Sequence, residues 1–111
     1  MDARIEKYIA DRIEYISGSA YGHMGNEPLF PADIGLTDEQ ELSIKSSIGR
    51  AHGSAWARYK RNDARARFIR ATQVSCETRA RREHHPIDLG DVYAVAYKIA
   101  YGQLDLVCRP N

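Results

Sequence analysis

Apolar residues return along this chain at helical spacing, and the places where that spacing breaks divide it into segments. In the first segment Ile5, Tyr8, Ile9, Ile13 and Ile16 share one face, because residues three and four apart lie over one another on a helix. Asp2 is available as N-cap and Gly18 as a left-handed terminator, so the pattern predicts a first helix over 3–16. The text then changes to "SGSAYGHMGNEPLFPADIGL", residues 17–36, with four Gly and two Pro. It reads as a long loop, with Leu29 and Phe30 between the prolines expected to pin it to the core.

Thr37 opens "TDEQ", a capping box in which the Thr37 hydroxyl meets the third amide while Gln40 reaches back. Asp38 and Glu39 suit the positive end of the helix dipole. From there one stripe continues through Ile44, Ile48, Ala51, Ala55, Tyr59, Asn62, Ala66, Ile69, Gln73, Cys76 and Ala80. As a single helix of about 45 residues at 1.5 Å each it would be roughly 68 Å long, about twice the width of a compact chain of this size. The expected break is "KRND", where Asn62 or Asp63 caps a new helix, giving helices over 38–61 and 63–83; the alternative is an unbroken rod. Gly49, Gly53 and Ala57 stand four apart in the first of these. Each Gly in a helix interior costs about 1 kcal/mol against Ala, so their register suggests a tight crossing with a neighbouring helix or a second chain, or a kink. Trp56 falls on another side, near His52 and Lys60, and is expected to cover core.

Pro86 in "HHPIDLGD" ends the pattern, and Asp88 or Asp91 starts a last helix through about Tyr101, closed by Gly102. Its apolar face is Val92, Val95, Ala96 and Ile99, and Tyr93, Tyr97 and Tyr101 form a second stripe. A helix apolar nearly all round belongs at the centre of a bundle or against another subunit, so the three tyrosines are candidates for an interface, together with Gly49 and Gly53. The same tyrosines as a base-stacking platform are the weaker reading, since such platforms usually sit on sheets. The tail alternates Leu104, Leu106 and Cys108, which suggests a short extended strand. The expected architecture is all-α: one domain over 1–111, a small bundle of about four helices with a long Gly/Pro-containing loop after the first, and a homodimer is expected.

At 111 residues, 43% hydrophobic and 28% charged, the composition is that of a soluble globular chain, with no apolar run long enough for a membrane span. "MDARIEKYIADRIEYI" mixes both charge signs and has no apolar core of a secretory signal, so no export signal is expected. Cys76 and Cys108 match no disulfide framework or metal-ligand spacing, and two free thiols suggest a cytoplasmic protein.

Catalytic chemistry is thin. His84 and His85 are adjacent, so on a helix they point about 100° apart and cannot chelate one metal as an i, i+4 pair does. His23 with Glu27 and Asp33 is a loop grouping without geometry, "GSAYGHMG" lacks the Lys-Ser/Thr of a phosphate loop, and Cys76 has no partner that marks it as a nucleophile. No enzyme, metal or cofactor is expected.

Charge changes the picture. The overall +1 hides a split: residues 1–49 carry four basic and nine acidic residues, residues 50–82 ten basic and two acidic, and residues 83–111 two basic and four acidic. Counting 100° per residue along one continuous helix, Arg58, Arg61, Arg65 and Arg79 fall on one flank of the stripe, and Lys60, Arg67, Arg70 and Arg81 on the other, with Arg82 beyond. A solvated helix face normally mixes Glu with Lys or Arg, whereas these have only Asp63 and Glu77 among them. The excess calls for an anion. The acidic N-terminal part can supply it internally, and a polyanion or acidic protein can supply it externally. The leading expectation is therefore a non-enzymatic protein that binds nucleic acid through phosphate contacts from this segment. The alternative is a small docking protein or inhibitor, of phage or mobile-element type, acting on a nucleic-acid-processing complex.

Overall fold

A computed structural model describes residues 1–20, 26–82 and 84–108, without the side chains at 18–20, 76–77, 80–82 and 105–108. It is all-helical: α1 (Ala3–Ala20), α2 (Asp38–Tyr59), α3 (Asp63–Arg82) and α4 (Leu89–Cys108), with one 3-10 turn, Ala32–Ile34, ahead of α2. The described residues include no strand. The capping box forms as the sequence requires, with the Thr37 side chain accepting from the Gln40 amide and the Gln40 side chain accepting from the Thr37 amide. Asp88 caps α4 in the same spirit, its carboxylate accepting from the amides of Gly90 at 2.8 Å and Asp91 at 3.2 Å.

Two ends differ from expectation. α1 runs through Gly18 to Ala20, because a single Gly costs a helix only about 1 kcal/mol and does not by itself stop it. α4 runs through Gly102 to Cys108, and the expected terminal strand is helix instead. The reason is burial: Ala96, Ala100 and Leu104 are all buried four apart, so the tail continues the α4 stripe and its period-two pattern is incidental.

α2 is the hub. Its buried Ile44, Ile48, Ala51 and Ala55 meet Ile5, Tyr8, Ile9 and Ile13 of α1 and Leu89, Val92, Tyr93 and Ala96 of α4 in one core. Ser47 donates to the Leu89 carbonyl at 3.1 Å near one end, and the Tyr59 ring meets Tyr101 edge-on at 5.9 Å at the other. Both ties join residues 42 apart in sequence, so α2 and α4 run parallel. The alanines at the contact let the two helices approach closely while the isoleucines and Leu89 fill the sides. α3 turns back along α2, touches α4 at few points and does not touch α1. The molecule measures 44 Å along its longest axis, which excludes the unbroken rod.

The connection after α1 retraces that helix. Arg12 pairs with Glu27 at 2.6 Å, the Tyr8 ring meets Phe30 at 5.0 Å, and Arg4 pairs with Asp33, so anchors on α1 four residues apart hold successive points of the returning chain. Phe30 packs against the core as expected, but Leu29 is 90% exposed and pins nothing. Of the two, Phe30 is the one whose ring meets the edge of Tyr8.

His52 of α2 lies against Ser17 of α1, with Nε2 3.2 Å from the hydroxyl, and burial pushes its pKa below the ordinary 6.5. A neutral, half-buried imidazole binds fewer protons folded than unfolded, so its contribution is complete above about pH 6.5 and declines as pH falls below that value. The midpoint of urea unfolding should therefore drop on acidification from pH 7 to pH 5.5, and His52→Gln should remove that part of the decline.

Candidate nucleic-acid interface

The α2–α3 corner decides how the basic residues are presented. α2 ends when the Asn62 amide donates to the Ala57 carbonyl at 2.7 Å and the Arg61 amide donates to the Arg58 carbonyl at 3.0 Å, the paired bonds of a Schellman ending. That geometry places Arg61 in the left-handed region, φ 58°, a slot that glycine usually fills. Asn62 then caps α3, its side-chain oxygen accepting from the Arg65 amide at 3.3 Å. The break lies where the sequence places it, and its cost shows at Arg61. An L-residue in this region loses roughly 1 to 2 kcal/mol, so Arg61→Gly should stabilise the fold by about 1 kcal/mol in chemical denaturation while removing one cation.

The corner also resets the helical phase, so the two flanks counted through a continuous helix do not carry across it. Arg58 lies in the last turn of α2, Lys60 and Arg61 sit in the corner, and only within α3 do Arg65 and Arg79 stay on one side with Arg67 and Arg70 on the other. All seven are exposed. The side chains of Arg81 and Arg82 lie outside the described residues, as do His23, Cys76 and Cys108 as candidates for chemistry.

Where the carboxylates go separates the readings. Among the described residues the ion pairs join Arg4 with Asp2 and Asp33, Lys7 with Asp11, and Arg12 and Lys45 with Glu27. Each of these belongs to the acidic N-terminal half. None of Arg58, Lys60, Arg61, Arg65, Arg67 or Arg70 takes part in an ion pair among the described residues. Two of them rest on aromatic rings: the Lys60 ammonium lies 5.1 Å from the Trp56 ring centre, and the Arg70 guanidinium 5.5 Å from that of Tyr93. Arg58 sits beside Tyr97, whose phenol burial pushes above its ordinary pKa while the guanidinium pulls it back.

The tyrosines form a ladder along α4. Tyr93 and Tyr97 stack at 6.2 Å, Tyr97 and Tyr101 at 6.0 Å, and Tyr59 closes the row edge-on. Their faces are taken up by one another and by Arg70, and Tyr93 is buried, so the ladder is the rim of the core and offers no row of open rings for bases. The small-residue register divides likewise. Gly53 faces α3, where an added Cβ would lie 3.6 Å from the Ile69 side chain, and Ala57 is buried, whereas Gly49 meets nothing within 4 Å. The Gly53 crossing is thus made within the chain.

Two features escaped the sequence. His85 ties the α3–α4 connection to the start of α2, its Nε2 3.2 Å from the Gln40 carbonyl and its Nδ1 accepting from the Ile87 amide at 3.1 Å; a histidine beside another in a loop carries no signal for such a tie. Phe68 stands 73% exposed in the middle of the basic helix. Its signal was available, since it falls well off the stripe through Ala66, Ile69 and Gln73.

Comparison with protein-family models, with curated proteins and with solved structures finds no match to the chain. The described residues contain no group of three or more His, Cys, Asp or Glu placed to hold a metal ion. No helix among them is long and apolar enough to cross a membrane.

Proposed function

We propose that this chain is a non-enzymatic protein that binds nucleic acid through phosphate contacts made by the α2–α3 corner and the exposed side of α3. One observation carries the reading: among the described residues the N-terminal cations find carboxylates within the fold, while six cations from Arg58 to Arg70 do not. A cluster of Arg and Lys without carboxylate partners among the described residues, presented on one corner and one helix, is the electrostatic footprint expected of a phosphate-binding surface. Arg in place of Lys adds planar, two-pronged contacts to phosphate oxygens.

Neutralising about four to six phosphates makes the logarithm of affinity fall with the logarithm of salt at a slope of roughly −4 to −5 on duplex DNA, and less steeply on single strands. A titration of labelled duplex and single-stranded DNA at several salt concentrations measures it. Absence of binding at low salt overturns the proposal. The second reading, docking on an acidic protein, is favoured by the exposed Phe68 and Val74 on the same helix, since apolar side chains ringed by cations also suit a protein interface.

A further inference from the structure

α3 differs from the other helices in how little of it is covered. Of its described side chains only Gln73, 3% exposed, is buried, and Ala66, Ile69 and Thr72 are half-buried beside it. The opposite side presents a line at i, i+4, i+7, i+11 and i+14: Ala64, Phe68, Ala71, Ser75 and Thr78, all exposed. Small residues occupy four of these five places. The hydroxyls of Ser75 and Thr78 are turned back onto the helix, donating to the carbonyls of Ala71 and Val74 at 3.1 Å and 2.9 Å, so the line is narrow and smooth except where Phe68 projects.

Cations stand on both sides of this line. Counting 100° per residue, Arg65 and Arg67 lie about 160° apart around α3, with the small-residue line midway between them. Asp63, in the first turn, is the acidic residue of α3 whose side chain is described, and it lies off the line. A slim helix edge with an outward cation on either side, Arg65 and Arg67, matches a surface that has two rows of negative charge with an apolar and polar floor between. The major groove of B-form DNA is such a surface: it is about 12 Å wide, admits an α-helix, and carries a phosphate backbone on either side and thymine methyl groups on its floor. The major groove of A-form RNA is too deep and narrow to admit one. An acidic protein would need two separate acidic ridges at the same spacing to match as well.

We infer that α3 enters the major groove of duplex DNA, with Arg65 and Arg67 on opposite phosphate backbones and Phe68 against the base edges. The inference rests on the phosphate-binding reading above and adds the groove, the duplex form and the role of Phe68. Because Phe68 is exposed, its truncation leaves the fold intact.

The test compares wild type with Phe68→Ala by fluorescence anisotropy at one salt concentration. The probes are an alternating A·T DNA duplex, the same duplex with uracil for thymine, and an RNA duplex of equal length. Wild type should bind the thymine duplex about tenfold more tightly than the RNA duplex. Phe68→Ala should lose about tenfold on the thymine duplex, with the salt slope unchanged and the RNA affinity unaltered. Wild type should weaken on the uracil duplex, which lacks only the major-groove methyl, and Phe68→Ala should not distinguish the two. Equal affinity for DNA and RNA duplexes, or no effect of Phe68→Ala, sinks groove entry and leaves phosphate binding standing. Failure to bind any of the three sinks both. A doubled mass in light scattering that Phe68→Ala returns to one chain, without DNA binding, assigns the face to a second copy and overturns the inference.

Discussion

The combined replacement of Arg61, Arg65 and Arg67 by alanine should weaken binding to every DNA duplex alike, on the order of a hundredfold at 0.1 M salt. Three lost phosphate contacts flatten the salt slope by up to about 0.9 each, so the wild-type and variant lines converge as salt rises. Sequence preference should not change, because phosphate contacts position a protein without specifying bases. Circular dichroism and urea unfolding should match the wild type. None of the three guanidinium groups has a carboxylate partner among the described residues, and Arg61→Ala leaves a non-glycine residue in the same left-handed turn. A variant that unfolds would show that these arginines serve the fold rather than a ligand.

The largest effect on stability should come from Ile48→Ala. Ile48 is fully buried on α2, the helix that touches all three others, so removing its branches opens a cavity where neighbouring helices cannot all close in. Such truncations cost about 2 to 5 kcal/mol, a large part of the roughly 5 to 15 kcal/mol that holds a domain folded. The urea midpoint should fall by about 1 M or more at an unchanged slope. A loss below about 1 kcal/mol would mean that α1, α2 and α4 are packed far less tightly than the burial of Ile9, Ile44 and Val92 indicates.

Most of this architecture is legible in the chain, because its strongest signals are local. The Thr37 capping box, the Asn62 break and the isoleucine stripe of α2 each act within a few residues, and each forms as the spacing requires. The ends of α1 and α4 were misread for one shared reason. A glycine is a permitted stop and not an obligatory one, and whether Gly18 or Gly102 ends a helix depends on what the next turn can bury. Leu104 finds the core, which only the parallel placement of α2 and α4 makes available. At the candidate site the basic residues were legible as a list and their arrangement was not. Phase counted through the turn carries no information beyond it, so the opposite placing of Arg65 and Arg67 was legible, but where Arg58, Lys60 and Arg61 stand relative to them follows only once Arg61 has turned the chain. The internal alternative, arginines neutralised by the acidic N-terminal part, finds no ion pair for Arg58 to Arg70 among the described residues, and α1 packs on α2 and α4 rather than on α3.

That thin attachment of α3 has a consequence in time as well as in space. A helix held, among its described side chains, by one buried amide and a few half-buried contacts opens at lower free energy than α2 and α4, whose alanine and isoleucine seam is closed to water. Native-state hydrogen exchange should therefore show the amides of residues 66–79 trading protons well before those of residues 44–55, as a cooperative unit hinged at the Asn62 corner. A ligand gripping that helix would hold it down, so its arrival should be recorded as slowed exchange in the segment that is least protected when the protein is alone.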